Sequence, residues 1–160
     1  RIIKETKCDA VKLEGGKKII DQINYLIKKK IPVVGHLGLL PQSAKGKFKS
    51  KGKSQKETNQ LIKDALLLQN SGVFAIVVEC VKASTAKQIT KSLKIPTIGI
   101  GSSVHCDGQV LVTDDLIGLN NTKIRFVKRF INIKKYINLG LKKFSTEVRS
   151  KKYPSKKYSY

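Results

Sequence analysis

Short β-branched apolar runs alternate along this chain with longer amphipathic stretches, and that alternation admits few folds. It is the mark of repeated βα units around a parallel sheet. The first run, residues 10–14, ends in Gly15 and Gly16, and the stretch 17–30 then places Ile19, Ile20, Ile23, Leu26 and Ile27 on one helical stripe. Pro32 opens a second strand at 33–37, closed by Gly38 and followed by a long loop at 39–53. Ser54 and Glu57 have the spacing of a capping box, and Leu61, Ile62, Ala65, Leu66 and Leu68 give the helix behind it an apolar side. The continuous apolar run 73–78 reads as a strand buried on both faces, and it ends on Glu79. Residues 83–93 predict a third helix and 97–100 a fourth strand introduced by Pro96. The segment 124–130 predicts a last strand, and Ile133, Ile137, Leu141, Phe144 and Val148 a closing helix.

The fold class expected is therefore α/β, with about five parallel strands joined by crossover helices. A closed (β/α)8 barrel takes about 250 residues. A chain of 160 residues then corresponds to the latter part of a TIM-type barrel whose N-terminal strands are missing, with a smaller open sheet as the alternative. Residues 1–150 are expected to form the partial barrel domain and 151–160 a basic, weakly ordered C-terminal tail.

Composition narrows the partners. A hydrophobic content of 40% argues for a folded chain, and no apolar run approaches the roughly 18 residues of a membrane helix. With no signal-peptide pattern before the first strand, a cytoplasmic protein without a membrane partner is expected. Cys8, Cys80 and Cys106 lack metal-ligand spacing and fit a reducing compartment. The absence of methionine, with Arg1 first, leads us to expect a piece of a longer chain. A net charge of +22 would ordinarily raise nucleic acid as a partner. However, 29 of the 33 basic residues are lysine, spread over every segment, whereas nucleic-acid surfaces favour arginine. The charge reads as a solvated surface.

Chemistry is expected at the strand ends. If Val11 and Leu13 bury one face of the first strand, Lys12 and Glu14 project side by side from the other. Parallel α/β proteins keep their active groups at the C-terminal ends of strands; a structural ion pair is the competing reading. Glu79, at the end of a wholly apolar run, is a candidate base, since burial raises a carboxylate's pKa unless it is paired. Pairing with a loop lysine is its structural alternative. His36 lies on the face of Val34 and reads either as an inward-pointing site residue or as a hydrogen-bonded core histidine. Consecutive residues of an extended loop diverge, so His105, Cys106 and Asp107 are not expected to form one catalytic cluster. Cys80 is expected to point into the packing layer.

Taken in order, VKLEGG, IPVVGHLGLLPQS, VVECV, IPTIGIG and CDGQVLV resemble the ketopantoate hydroxymethyltransferase family over nearly the whole chain, starting at that family's fourth barrel strand. The resemblance implies a (β/α)8 enzyme. It implies transfer of a hydroxymethyl group from 5,10-methylenetetrahydrofolate to 3-methyl-2-oxobutanoate, giving 2-dehydropantoate for pantothenate and coenzyme A, with magnesium as metal. It also implies that Lys12 contacts the oxo acid, that Glu14 belongs to the magnesium site, that Glu79 accepts the proton, and that the protein forms a large homo-oligomer. Two magnesium-binding aspartates and an oxo-acid-contacting serine of the family have no counterpart in these residues. Leu40 stands where the family has a hydroxyl, Lys82 where it has a proline, and Ser102 and Ser103 follow Gly101 where it commonly reads GIGAG. The alternatives are another magnesium-dependent oxo-acid barrel of the phosphoenolpyruvate mutase and isocitrate lyase group, or a basic nucleic-acid-binding module.

Overall fold

The structure, a computed structural model, describes residues 1–44, 49–121 and 124–160. It divides into two compact units, 1–110 and 111–160.

The first unit holds helix α1 (Ile2–Thr6), strand β1 (Val11–Lys12), helix α2 (Ile20–Lys28), strand β2 (Val33–Gly38), helix α3 (Gln55–Asn70), strand β3 (Ala75–Glu79), helix α4 (Ala83–Ser92) and strands β4 (Thr97–Ile100) and β5 (Gly108–Gln109). All five strands are parallel and lie in chain order, β1-β2-β3-β4-β5. A doubly wound sheet reverses its order at a switch point; this one does not. Helix α2 starts later than the sequence predicts. Gly15 and Gly16 both have positive φ, and a 3-10 turn over Gly16–Ile19 precedes the helix. Ser54 caps α3 by accepting the Glu57 N–H at 3.2 Å, but the Glu57 carboxylate reaches back to the N–H of Lys53 at 2.9 Å, one residue earlier than a capping box requires.

Alternation along the strands separates two faces. Val33 and Leu37 of β2 and Ile76 and Val78 of β3 pack with Ile23, Ala65, Leu68, Ala86 and Ile89 from the helices. Val11 and Leu13 join the edge of this core. Gly35 belongs to the same face, where a side chain would press on Leu68 at 3.1 Å. Lys12, Glu14, Val34, His36, Val77 and Glu79 fall on the opposite face.

The expected strand at 124–130 is not formed. Its β-branched and aromatic residues, Ile124, Phe126, Val127 and Phe130, suggest a strand, but Val127 N–H instead donates back to the Ile124 carbonyl at 3.1 Å. The fifth strand is Gly108–Gln109, paired with Ile98 and Gly99. Part of the loop expected at 39–53, residues 45–48, lies outside the described residues.

The second unit holds helix α5 (Thr113–Leu116) and helix α6 (Ile133–Arg149), whose first turn is capped by the Asn132 side chain. The expected apolar stripe of α6 is helical, yet among the described residues none of it is buried: Leu141 is 61% and Phe144 55% exposed. In the tail Tyr153 stands edge-on to Phe144 at 5.4 Å, and a 3-10 turn spans Lys156–Tyr158. Among the described residues no helix is long and apolar enough to cross a membrane.

Candidate active site

Register gathers the charged residues. Lys12 pairs with Val34, His36 with Val77 and Gly38 with Glu79, so the ends of β1, β2 and β3 carry Lys12, Glu14, His36 and Glu79 on one face. Lys12 Nζ lies 3.5 Å from Glu14 Oε1 and 3.1 Å from His36 Nδ1. On its other side the imidazole has Nε2 3.4 Å from Glu79 Oε2. The other Glu14 oxygen, Oε2, accepts the backbone N–H of Gln42 at 3.2 Å. Lys12 keeps 44% of its side chain exposed, whereas Glu14 keeps 8%, Glu79 14% and His36 1%. The arrangement is an open cation above three largely buried groups.

Burial, then the nearby Glu14 charge, raises the pKa of Glu79 above the usual carboxylate value, against a smaller opposing pull from Lys12. Burial and the Lys12 ammonium lower His36 below its usual 6.5, more than Glu14 and the Leu39 backbone raise it. The net shift favours the neutral imidazole, whose approaches to Glu14 and Glu79 are polar contacts rather than ion pairs.

The backbone under Glu79 is held from both sides. Leu39 N–H donates to the Glu79 carbonyl at 2.8 Å, an approach that Gly38 (φ 97) makes possible, because a Cβ there would collide with that same carbonyl. Cys80 follows in a left-handed conformation (φ 51), tied by its N–H to the Ile100 carbonyl at 2.9 Å. The Ser102 hydroxyl then spans the turn, donating to the Val78 carbonyl at 2.7 Å and accepting from Val81 N–H at 3.1 Å. In the sequence Ser102 appeared only as a departure; the partner strand shows its use.

His105, Cys106 and Asp107 do diverge. His105 is exposed, Cys106 is buried in the helix-side core, and the Asp107 carboxylate accepts from the N–H and hydroxyl of Thr97 at 2.8 and 3.0 Å. Sequence reasoning left the part of His36 open and missed Gln42. A pattern of period two places a residue on a face, but what stands opposite it depends on register.

A magnesium ion would ask for several oxygen donors in octahedral array. Among the described residues no three His, Cys, Asp or Glu side chains are arranged to hold a metal, and Glu14 has one oxygen committed to Gln42 and the other beside Lys12. These residues alone do not make a magnesium site.

A sequentially ordered parallel sheet with opposite charges gathered at the C-terminal ends of neighbouring strands defines an α/β protein and is the arrangement in which parallel α/β enzymes place their sites. The comparisons with known proteins carry this further. The family model for ketopantoate hydroxymethyltransferase matches residues 1–156. The chain is 62% identical over its whole length to a 3-methyl-2-oxobutanoate hydroxymethyltransferase of Pelagibacter ubique, of which it covers 62%. It is 45% identical to the same-named protein of Rhizobium etli and 44% to that of Clostridium botulinum, covering 60% and 59% of them. The chain belongs to the ketopantoate hydroxymethyltransferase family. It spans about 60% of the length of the curated relatives it matches.

Proposed function

We propose that the intact protein transfers a hydroxymethyl group from 5,10-methylenetetrahydrofolate to 3-methyl-2-oxobutanoate, yielding 2-dehydropantoate for pantothenate biosynthesis, and that Glu79 is the base that opens the reaction. The observation that carries this reading is the Glu79 carboxylate, mostly buried, raised in pKa and sharing one strand-end face with the Lys12 ammonium. A raised carboxylate is matched to removing the weakly acidic C3 proton of an oxo acid. The proton passes to Glu79 while the C3–H electron pair becomes the enolate; C3 then bonds to the methylene carbon as both of that carbon's bonds to folate nitrogen are broken, water supplies its hydroxyl group, and tetrahydrofolate leaves. Lys12, the exposed cation of the cluster, binds the substrate carboxylate and offsets the enolate charge.

Among the described residues Glu14 is the ligand that this reading assigns to a magnesium ion. Such an ion, if held there with further donors, would supply Lewis-acid polarisation of the keto group. In this reading residues 1–150 belong to a TIM-type barrel and 151–160 form its basic tail; the strand order without reversal supports the barrel. The protein is cytoplasmic and homo-oligomeric in the same reading, and the exposed apolar stripe of α6 supports assembly.

Deuterium exchange at C3 of 3-methyl-2-oxobutanoate tests the proposal without folate. The intact protein should catalyse exchange, and Glu79→Gln should reduce it by about 10²- to 10⁴-fold. Full exchange in that variant would remove Glu79 from its role.

A further inference from the structure

His36 is the one functional-face residue that neither its sequence context nor the proposed reaction accounts for. Its ring is 1% exposed, and Nε2 is the only buried side-chain nitrogen or oxygen among the described residues that lacks a hydrogen-bond partner. A buried donor left unmade costs about 1–3 kcal/mol, so its persistence in a well-packed strand calls for a reason. The tautomer follows from the other nitrogen. A lysine ammonium only donates, and Lys12 Nζ sits 3.1 Å from Nδ1, so Nδ1 holds the lone pair. A neutral ring then carries its proton on Nε2, on the side of Glu79 Oε2 at 3.4 Å.

We propose that His36 is a positioning residue for Glu79: its Nε2–H closes onto Oε2 when substrate binds, fixing the carboxylate so that Oε1 faces the C3 proton. Catalytic hydrogen bonds are often long in unliganded sites and tighten in the complex. The ring is confined, since it is 1% exposed and β2 lies between β1 and β3. Lys12, His36 and Glu79 thus form one string, Nζ–H to Nδ1 and Nε2–H to Oε2. Lysine charge polarises the imidazole and strengthens its hold on the carboxylate. Glu14, 3.5 Å from Nδ1 and also facing Lys12, is the remaining charged group against the ring.

This inference rests on Glu79 acting as the base, and two measurements keep the two ideas apart. In the intact protein labelled with ¹⁵N-histidine, and with the His36 signals assigned by their loss in His36→Gln, the Nε2–H tautomer is expected; an Nδ1–H tautomer overturns the proposal whatever the activity. In C3 exchange, His36→Leu should lower kcat by about a hundredfold with KM close to wild type, and His36→Gln, whose amide N–H reaches about as far as Nε2, should recover most of it. Equal losses in both variants, or a change confined to KM, would overturn it. An intact wild-type protein that does not exchange C3 sinks the reaction, while the tautomer still decides the geometry of His36.

Discussion

Two polar clusters sit on the same sheet and differ in how well they are satisfied. At the start of β4, Thr97 is fully buried, yet its hydroxyl meets Thr90 at 2.8 Å and Asp107 at 3.0 Å, and its N–H meets Asp107 at 2.8 Å. At the ends of β1–β3 the contacts among Glu14, His36 and Glu79 stretch to 3.4–3.5 Å and one buried nitrogen lacks a partner. Hydrogen bonds from Thr97 lower the pKa of Asp107, whereas burial and a like charge raise that of Glu79. A satisfied cluster spends its groups on the fold. An unsatisfied one keeps them available for a ligand, and proteins tolerate that tension mainly at functional sites.

The largest effect is expected beneath the unsatisfied cluster. Gly38→Ala puts a Cβ against the Glu79 carbonyl and 2.6 Å from Val81 at a φ of 97, which should cost about 3–5 kcal/mol in denaturant unfolding; a loss within error would show that the β2–β3 end is slack. Next comes the satisfied cluster. Thr97→Val should lose about 1–3 kcal/mol while C3 exchange per folded molecule is unchanged, and a loss of exchange without loss of stability would reverse the comparison. Ser102→Ala removes the hydroxyl that bridges Val78 and Val81, at about 1 kcal/mol, and should lower kcat more than it changes KM because Glu79 rides on that turn.

The smallest effect has the opposite sign. A folded-state pKa raised above the unfolded one favours folding below the unfolded value, and that contribution is lost as pH rises through the folded pKa. For Glu79 the loss therefore begins above 4.5. Glu79→Gln should raise Tm slightly at pH 7 and leave it unchanged at pH 4; a lower Tm at pH 7 would mean that the carboxylate is well paired.

Lys12 and Glu14 were legible in the sequence because period two leaves no freedom: with Val11 and Leu13 turned toward the core, both charges share the other face. Glu79 was legible as a charge closing an apolar run. The role of His36 was not, because its neighbours come from β1 and β3 and depend on a register that no local pattern encodes. The same limit explains the last strand. Gly108–Gln109 is too short to show any period, whereas 124–130 is rich in β-formers but turns, with Val127 N–H donating to the Ile124 carbonyl. The α6 stripe was read correctly as helical, but burial depends on partners that the pattern does not name.

The central claim, that the strand-end cluster is electrostatically unsatisfied while the Thr97 cluster is not, is tested most directly by titrating the carboxyl carbons of Glu79 and Asp107 by ¹³C NMR in one intact sample. Glu79 should titrate above 4.5 and shift down in Glu14→Gln, and Asp107 should titrate below 3.8. A Glu79 midpoint at or below 4.5 that ignores the Glu14 substitution would contradict the account.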